Sequence, residues 1–490
     1  MAIHSHTASA RLPGAISRAL GSTPRRLSML GAALEATMAV FIAVLISGMS
    51  GADGGMSAIF AKAAEAKATD DLYLHLTDMD AQAADALLVG FHPTGTVPLE
   101  VSAATYMQTY DSERSAVDAD LQLIGLNPAL AQEVRGLLDA LGAYESLIGQ
   151  AVYVDQITNG EAPAAPPREA LGLYEQATAS MHRDILAAAT RIRDEDAQEI
   201  DDGYTSAGDA MFGAGTVVVL LGLILIVLII ATNRYLSVTF RRIVGPSLAL
   251  AAVTVAAVTA WAVADLVNTA RDYRVAKQGA FDSVRALTDA EAVSYDANAD
   301  ESRWLLDRFG TYQADFFRDA DQVAHLYALD ADTAAQDPAS YYSALEAATT
   351  KLTLDGSRNT LSNVDLGGYL GGELGNITFD GEARGAFDAV DAFNSYIQID
   401  SSIRGSANSG DPATAVNIDI GLAPGDSDYK FDAYIKALQH VIGINQTAFT
   451  AAVADGENGL SVWSWFPYLL GVGLFALIGL ALYPRLREYR

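Results

Sequence analysis

The sequence contains no cysteine. Disulfides, thiolate nucleophiles and cysteine-based zinc or iron–sulfur sites are thereby excluded. Positive charge is scarce: 31 Lys and Arg stand against 60 Asp and Glu, a formal net charge of −29 over 490 residues. That sign is wrong for binding phosphates, so no nucleic-acid partner is expected. The seven histidines are scattered, and only His4 and His6 lie close together. There is no Walker A loop, no G-x-G-x-x-G after a strand, no G-x-S-x-G and no H-E-x-x-H. The acidic runs Asp70-Asp71 and Asp194-Glu195-Asp196 lack EF-hand spacing and read as solvated helix faces. No catalytic residue, cofactor or metal site is assigned, and the chain is read as non-enzymatic. A disordered acidic chain is excluded as well, because 51% of the residues are apolar.

Much of that apolar content lies in four runs, 29–50, 212–232, 247–266 and 462–482. Each is long enough to cross a hydrocarbon core of about 30 Å at about 1.5 Å per residue. The charges divide around them. Residues 1–28 hold Arg11, Arg18, Arg25 and Arg26 and no acid. The stretch 233–246 holds Arg234, Arg241 and Arg242 and no acid, and the tail 483–490 holds Arg485, Arg487 and Arg490 against Glu488. By contrast, 51–210 holds 27 acids and 8 bases, and 267–461 holds 30 acids and 13 bases. Short basic segments stay in the cytoplasm, whereas long acidic ones translocate. Both termini and the 233–246 loop are therefore expected inside a plasma membrane, and 51–211 and 267–461 outside. Met49-Ser50-Gly51-Ala52-Asp53 is a poor signal-peptidase site, so the first run is read as an uncleaved span.

The expected fold is an all-α membrane protein with four transmembrane helices and two extracytoplasmic helical-bundle domains, the plan span–ectodomain–span occurring twice. In the first ectodomain, 58–89, 102–124, 129–157 and a helix from about Arg168 read as an up-down-up-down four-helix bundle. Apolar residues fall on one stripe (Leu130, Val134, Leu137, Leu141, Tyr144, Ile148), and Asn127-Pro128 restarts the chain as cap and first-turn proline. The fourth helix is predicted to run from Arg168 to Ala231, because no proline occurs between Pro167 and Pro246. The second ectodomain begins with a long helix to about Phe309. Further helices are predicted over 312–329, 340–352, 382–403 and 428–453, interrupted by a glycine-rich stretch 355–381 and a turn-rich stretch 405–426.

Within the spans, Glu35 is an intramembrane carboxylate and hence a coupling candidate, and Asp265 reads as an interfacial end residue near Trp261. Ala252, Ala256, Ala260 and Ala264 recur every four residues, a small-residue stripe expected to pack at the centre of the membrane bundle. The interior segments are too short to bury a core of their own, so a signal delivered inside must pass to another protein. Arg234, Arg241, Arg242, Arg485 and Arg487 are the candidate docking face; their alternative role is topogenic, against anionic lipid.

Several stretches resemble the GlnX family of actinobacterial membrane signalling proteins. They are Arg25-Arg26-Leu27-Ser28-Met29-Leu30, Ala231-Thr232-Asn233-Arg234-Tyr235, Arg241-Arg242, Tyr295-Asp296-Ala297-Asn298-Ala299-Asp300-Glu301-Ser302-Arg303 and Pro484-Arg485-Leu486-Arg487-Glu488-Tyr489-Arg490. The resemblance implies a transducer between a solute-binding lipoprotein outside (GlnH), which captures aspartate or glutamate, and a soluble Ser/Thr kinase inside (PknG). It supplies no catalytic motif. The helical ectodomains are also similar to chemoreceptor sensor domains, and the layout admits a homodimer. Two other readings remain: a direct small-molecule receptor, with Arg303 and Arg308 beside Trp304 and Phe309 as its basic candidates, and a structural envelope protein without a signal.

Overall fold

The computed structural model describes residues 23–91, 99, 101–158, 166–240, 245–307 and 312–487. These are almost entirely helical. In chain order the elements are α1 (Thr23–Val89), α2 (Ala103–Ile124), α3 (Ala131–Ile157), α4 (Arg168–Ser180), a π-helical turn Met181–Leu186, α5 (Ala187–Phe240), α6 (Pro246–Arg274), a second π turn Val275–Phe281 and α7 (Asp282–Leu306). Then come α8 (Tyr312–Val323), α9 (Ala331–Gln336), α10 (Pro338–Lys351), strands β1 (Thr353–Asp355) and β2 (Thr360–Ser362), α11 (Gly368–Gly375), α12 (Glu382–Asn408), α13 (Pro412–Asp419), α14 (Ser427–Leu460), a 3-10 turn Ser461–Ser464 and α15 (Phe466–Arg487).

Side-chain caps start three of these helices, but Asn127 and Pro128 are not the cap and first turn of α3, which begins at Ala131 after Leu130. Ser102 accepts from Thr105 N at 3.3 Å ahead of α2, Asp330 from Thr333 N at 2.8 Å ahead of α9, and Asp411 from Thr414 N at 3.1 Å ahead of α13. Each side chain satisfies an amide that the first turn leaves without a carbonyl. Pro338 and Pro412 occupy first turns, where a missing N–H costs nothing. The fourth helix runs from Arg168 to Phe240 through its π turn, as the absence of proline predicts. The glycine-rich stretch forms the antiparallel hairpin β1–β2 and α11. Gly368, with φ +70°, lies so close to the Gln322 carbonyl that a Cβ would stand 2.5 Å from its oxygen. No other residue fits there.

The chain forms two compact units. One comprises the described parts of 1–58, 203–273 and 453–490. It contains four helical stretches long and apolar enough to cross a membrane, within 25–55, 168–239, 246–306 and 427–484. Its interior joins Leu34, Met38, Phe41 and Leu45 to Val218, Leu225, Val255, Val258, Leu474 and Ile478. Its outward face is apolar too: Phe212, Val227, Val253, Leu469 and Val472 are all exposed. Helices apolar on every side are what a lipid solvent demands. The chain is an all-α multi-pass membrane protein.

The alanine stripe is a correction. Ala256, Ala260 and Ala264 are exposed and Ala252 only half-buried, while the same helix buries Leu248, Ala251, Val255, Val258, Ala262 and Leu266. The packed face carries Leu248, Val255, Val258 and Leu266, whose larger side chains make more dispersion contacts with the neighbouring helices than alanine does. Close approach of the second and third spans occurs instead at Gly222, where a Cβ would stand 2.4 Å from Thr259 Oγ1. Glu35 is exposed on its helix and forms no ion pair with a described residue. Asp265 accepts from Trp463 Nε1 at 2.8 Å, and Trp463 lies 4.7 Å from Trp261 between ring centroids.

The second unit comprises 59–202 together with 274–452, so both acidic segments build one body. One of its cores gathers Leu72, Leu76, Met79, Tyr106, Leu137, Tyr144, Tyr174 and Ile185 from the first segment with Trp304, Leu305, Ile403 and Val416 from the second. The other core lies within the second segment, around Phe316, Phe317, Tyr341, Phe393, Tyr396 and Tyr434.

Candidate functional site

The end of α7 is polar and buried. Ala297 to Leu306 are all buried, among them Asn298, Asp300, Glu301, Ser302 and Arg303. This is the same stretch on which the family resemblance rests in part. Polar groups survive in such a place only when they are bonded, and their partners come from both acidic segments.

Arg303 is at the centre. Its Nε donates to Tyr174 Oη at 3.0 Å, Nη1 to Asp296 Oδ1 at 2.7 Å and Asp300 Oδ1 at 2.6 Å, and Nη2 to Asp80 Oδ2 at 2.6 Å. Asp80 also accepts from Tyr144 Oη at 2.7 Å and Thr178 Oγ1 at 2.6 Å. One guanidinium therefore stands among three carboxylates. Burial pushes the Asp300 carboxyl well above the usual range, the Arg303 charge notwithstanding. At Asp296 burial works upward too, but Arg303 and His182 outweigh it and hold the group below its ordinary value.

One residue back, Ser302 Oγ lies 2.6 Å from Asp85 Oδ1 and 2.9 Å from Asp419 Oδ2. A hydroxyl has one proton to donate. With both acids ionised, one of the two contacts would set lone pair against lone pair, so one carboxyl carries a proton. Burial raises both groups well above the carboxylate range, in accord with that count. Nearby, Asp428 accepts from Tyr106 Oη at 3.1 Å and is pushed up to about 7, chiefly by burial. Glu301 Oε2 accepts from Tyr396 Oη at 3.1 Å and Ser427 Oγ at 2.8 Å. Arg404 pairs with Asp400 at 2.7 Å and stacks over Trp304 at 4.5 Å.

A cavity of about 460 Å³ opens against this network, lined by α4 and its π turn (Glu175, Thr178, His182), α7 (Asp296, Asp300, Arg303) and α8 (Tyr312, Asp315, Arg318, Asp319). Among the described residues no group of three or more His, Asp or Glu is arranged to hold a metal ion.

Arg234 and Arg487 are exposed in the first unit. Arg241, Arg242, Arg308 and the side chain of Arg485 lie outside the described residues. Of the residues singled out from the sequence, Arg303 is the one at the centre. The aspartates that meet it were missed, though a signal existed. Asp80 falls on the apolar stripe of Leu76, Ala83, Ala84 and Leu87, where a carboxylate is out of place unless it is paired.

Residues 56–205 match a family model described as an actinobacterial sensor domain. No curated protein and no solved structure matches the chain. The match supports an actinobacterial sensor protein and a sensing role. It ends before the segment that supplies Arg303.

Proposed function

We propose that this protein is a non-enzymatic membrane sensor that reports an extracytoplasmic chemical state to the cell interior, with both acidic segments outside and both termini inside. The observation that carries the proposal is the Asp80–Arg303 pair. It binds the segment matching the sensor family to the second acidic segment, so a change felt by either is shared by both. Helices α1, α4–α5, α6–α7 and α14 each contain residues of both compact units. A displacement of about 1–2 Å along such helices is within the usual repertoire of transducers. It requires a stimulus that binds one arrangement better than the other.

The family resemblance makes the proposal more particular. The stimulus would be a solute-binding lipoprotein charged with aspartate or glutamate. The output would be a soluble Ser/Thr kinase, met by Arg234, Arg241, Arg242, Arg485 and Arg487. The test is the phosphorylation of that kinase's substrates after external aspartate or glutamate, in cells lacking this protein. The expected result is a lost response, restored by the wild-type gene. An undiminished response in the deletion strain overturns the relay.

A second reading, direct binding of a small molecule, is favoured by the cavity itself, since Arg303, Thr178 and Tyr312 converge on it. Equilibrium binding to the purified chain, without any lipoprotein, separates the two.

A further inference from the structure

A second buried polar cluster forms where α7, α11, α12 and α14 pack together. It comprises Ser283 on α7, Glu373 on α11, Glu382 at the start of α12 and Asn445 on α14. Ser283 is 3% exposed, Glu373 4%, and Glu382 and Asn445 0%. The elements are held closely around it. Asn376, just after α11, donates from Nδ2 to Ser283 Oγ at 2.7 Å. Gly385 on α12 lies so near α14 that a Cβ would stand 3.0 Å from Val441 Cγ2. One oxygen of Glu382, Oε2, accepts from the amides of Thr378 and Phe379 at 2.5 and 2.8 Å and so closes the turn ahead of α12.

The remaining acceptors have no donors. Both oxygens of Glu373, Oε1 of Glu382 and Oδ1 of Asn445 are buried and accept no hydrogen bond from a described residue. The Asn445 amide nitrogen is spent on the Val441 carbonyl, 3.2 Å away and one turn back on its own helix, which leaves the oxygen end free. The four side chains are neighbours. Burial and, next, the Glu382 carboxylate push the Glu373 carboxyl up to about 8, against the pull of the Ser283 and Asn445 side chains. A buried acceptor without a donor costs free energy, and a like charge beside it adds to the cost. A ligand that brings positive charge and needs only oxygen neighbours removes both.

We propose that Glu373, Glu382 and Asn445 bind a calcium ion, with Ser283 completing the protein's share of the ligands. Calcium takes about six to eight oxygens from carboxylates, amide carbonyls and water. The unpartnered atoms of the two glutamates and Asn445 supply four, Ser283 Oγ a fifth, and water the rest. Two carboxylates balance one divalent charge. The cluster offers oxygen alone, with no imidazole or thiolate to favour zinc or copper. Magnesium keeps several of its waters and is seldom held by a dedicated set of protein ligands. Because the ligands come from four helices, the ion clamps the glycine-rich stretch that carries α11 to α7 and α14. None of these residues lines the cavity at Arg303, and the proposal depends on neither reading of the protein's signal.

The test uses the full chain in phosphatidylcholine nanodiscs, stripped with a chelator, with calcium and magnesium as probes at pH 8. It reads the melting temperature and the calorimetric affinity. Calcium is expected to raise the melting temperature saturably, and magnesium to bind at least tenfold more weakly. Glu373→Gln should weaken calcium binding at least tenfold. In chelator it should melt no lower than wild type, because the amide removes the like charge beside Glu382 and can donate to it. Asn445→Asp should tighten calcium binding severalfold, by adding a third charged ligand. If calcium has no saturable effect on the wild type, the two glutamates are joined by a proton alone and the proposal falls. A calcium affinity unchanged in both variants overturns it as well, since the ion then binds elsewhere on this acidic chain. Magnesium bound as tightly as calcium overturns the assignment to calcium.

Discussion

Asp80 and Arg303 stand 223 positions apart in the chain and meet at 2.6 Å, each with a side chain 1% exposed. Neither would be tolerable there alone. The pair brings the two acidic segments into one body, and its geometry makes several outcomes predictable.

Arg303→Met removes the guanidinium that pairs with Asp80, Asp296 and Asp300. Breaking a buried ion pair by taking one partner costs about 3–5 kcal/mol, because the other charge remains buried. The variant should therefore unfold well below the wild-type temperature. Adding Asp80→Asn should recover more than about 1 kcal/mol of the loss, by coupling within the pair. A double variant no more stable than Arg303→Met would show that the charge of Asp80 is not what Arg303 offsets.

Acid should stabilise the helical unit. Asp70, Asp78 and Asp428 are each pushed up to about 7 and Glu373 to about 8, in every case chiefly by burial. Between about pH 4 and 8 the folded state then holds more protons than the unfolded state, so stability falls as pH rises. The melting temperature should be higher at pH 5.5 than at pH 8. The Asp85–Ser302–Asp419 contact adds to the effect, and Asp419→Asn mimics its protonated form. That variant should fold and show a shallower decline. A melting temperature that rises from pH 5.5 to 8 would overturn this account.

Gly222 should be intolerant where the alanine stripe is not. A Cβ at Gly222 would press on Thr259, 2.4 Å from Oγ1 and 3.0 Å from Cγ2. Gly222→Ala should cost about 1–3 kcal/mol of overpacking and Gly222→Leu more. Thr259→Ala in the same chain should relieve part of it. Ala256→Leu and Ala260→Leu place their bulk on an exposed face and should leave the melting temperature within about 0.5 kcal/mol equivalent of wild type. Loss of stability in the two alanine variants would indicate that this face is covered by something besides lipid.

The proposed topology is tested by single cysteines, since the chain has none of its own. Ser112→Cys and Ser357→Cys, at exposed positions, should react with an impermeant thiol reagent in intact cells, and Arg487→Cys should react only after lysis. Protection of Ser112→Cys or Ser357→Cys until lysis would invert the arrangement.

The four spans were legible from composition alone, because lipid demands an uninterrupted apolar run and nothing else in the sequence produces one. The helices of the first acidic segment were legible as well. Their apolar stripes recur at helical spacing, and Ser102 and Pro167 mark where α2 and α4 start, whereas α3 starts at Ala131 after Leu130 and not at Asn127-Pro128. The face used in the third span was not legible. Ala252, Ala256, Ala260 and Ala264 and the row Leu248, Ala251, Val255, Val258, Ala262 are both regular, and only a partner helix decides between two regular faces. The network around Arg303 lay further out of reach. The stretch Tyr295–Arg303 stood out in the sequence, and Arg303 could be named as a basic candidate beside Trp304. Its counter-ion Asp80 and the joining of Asp85 and Asp419 through Ser302 arise from contacts over more than a hundred residues. Charge and helical period are local properties of a chain, so sequence alone determined where the helices and spans fall. Which buried carboxylate faces which cation depends on how those helices pack, and only the tertiary structure decided it.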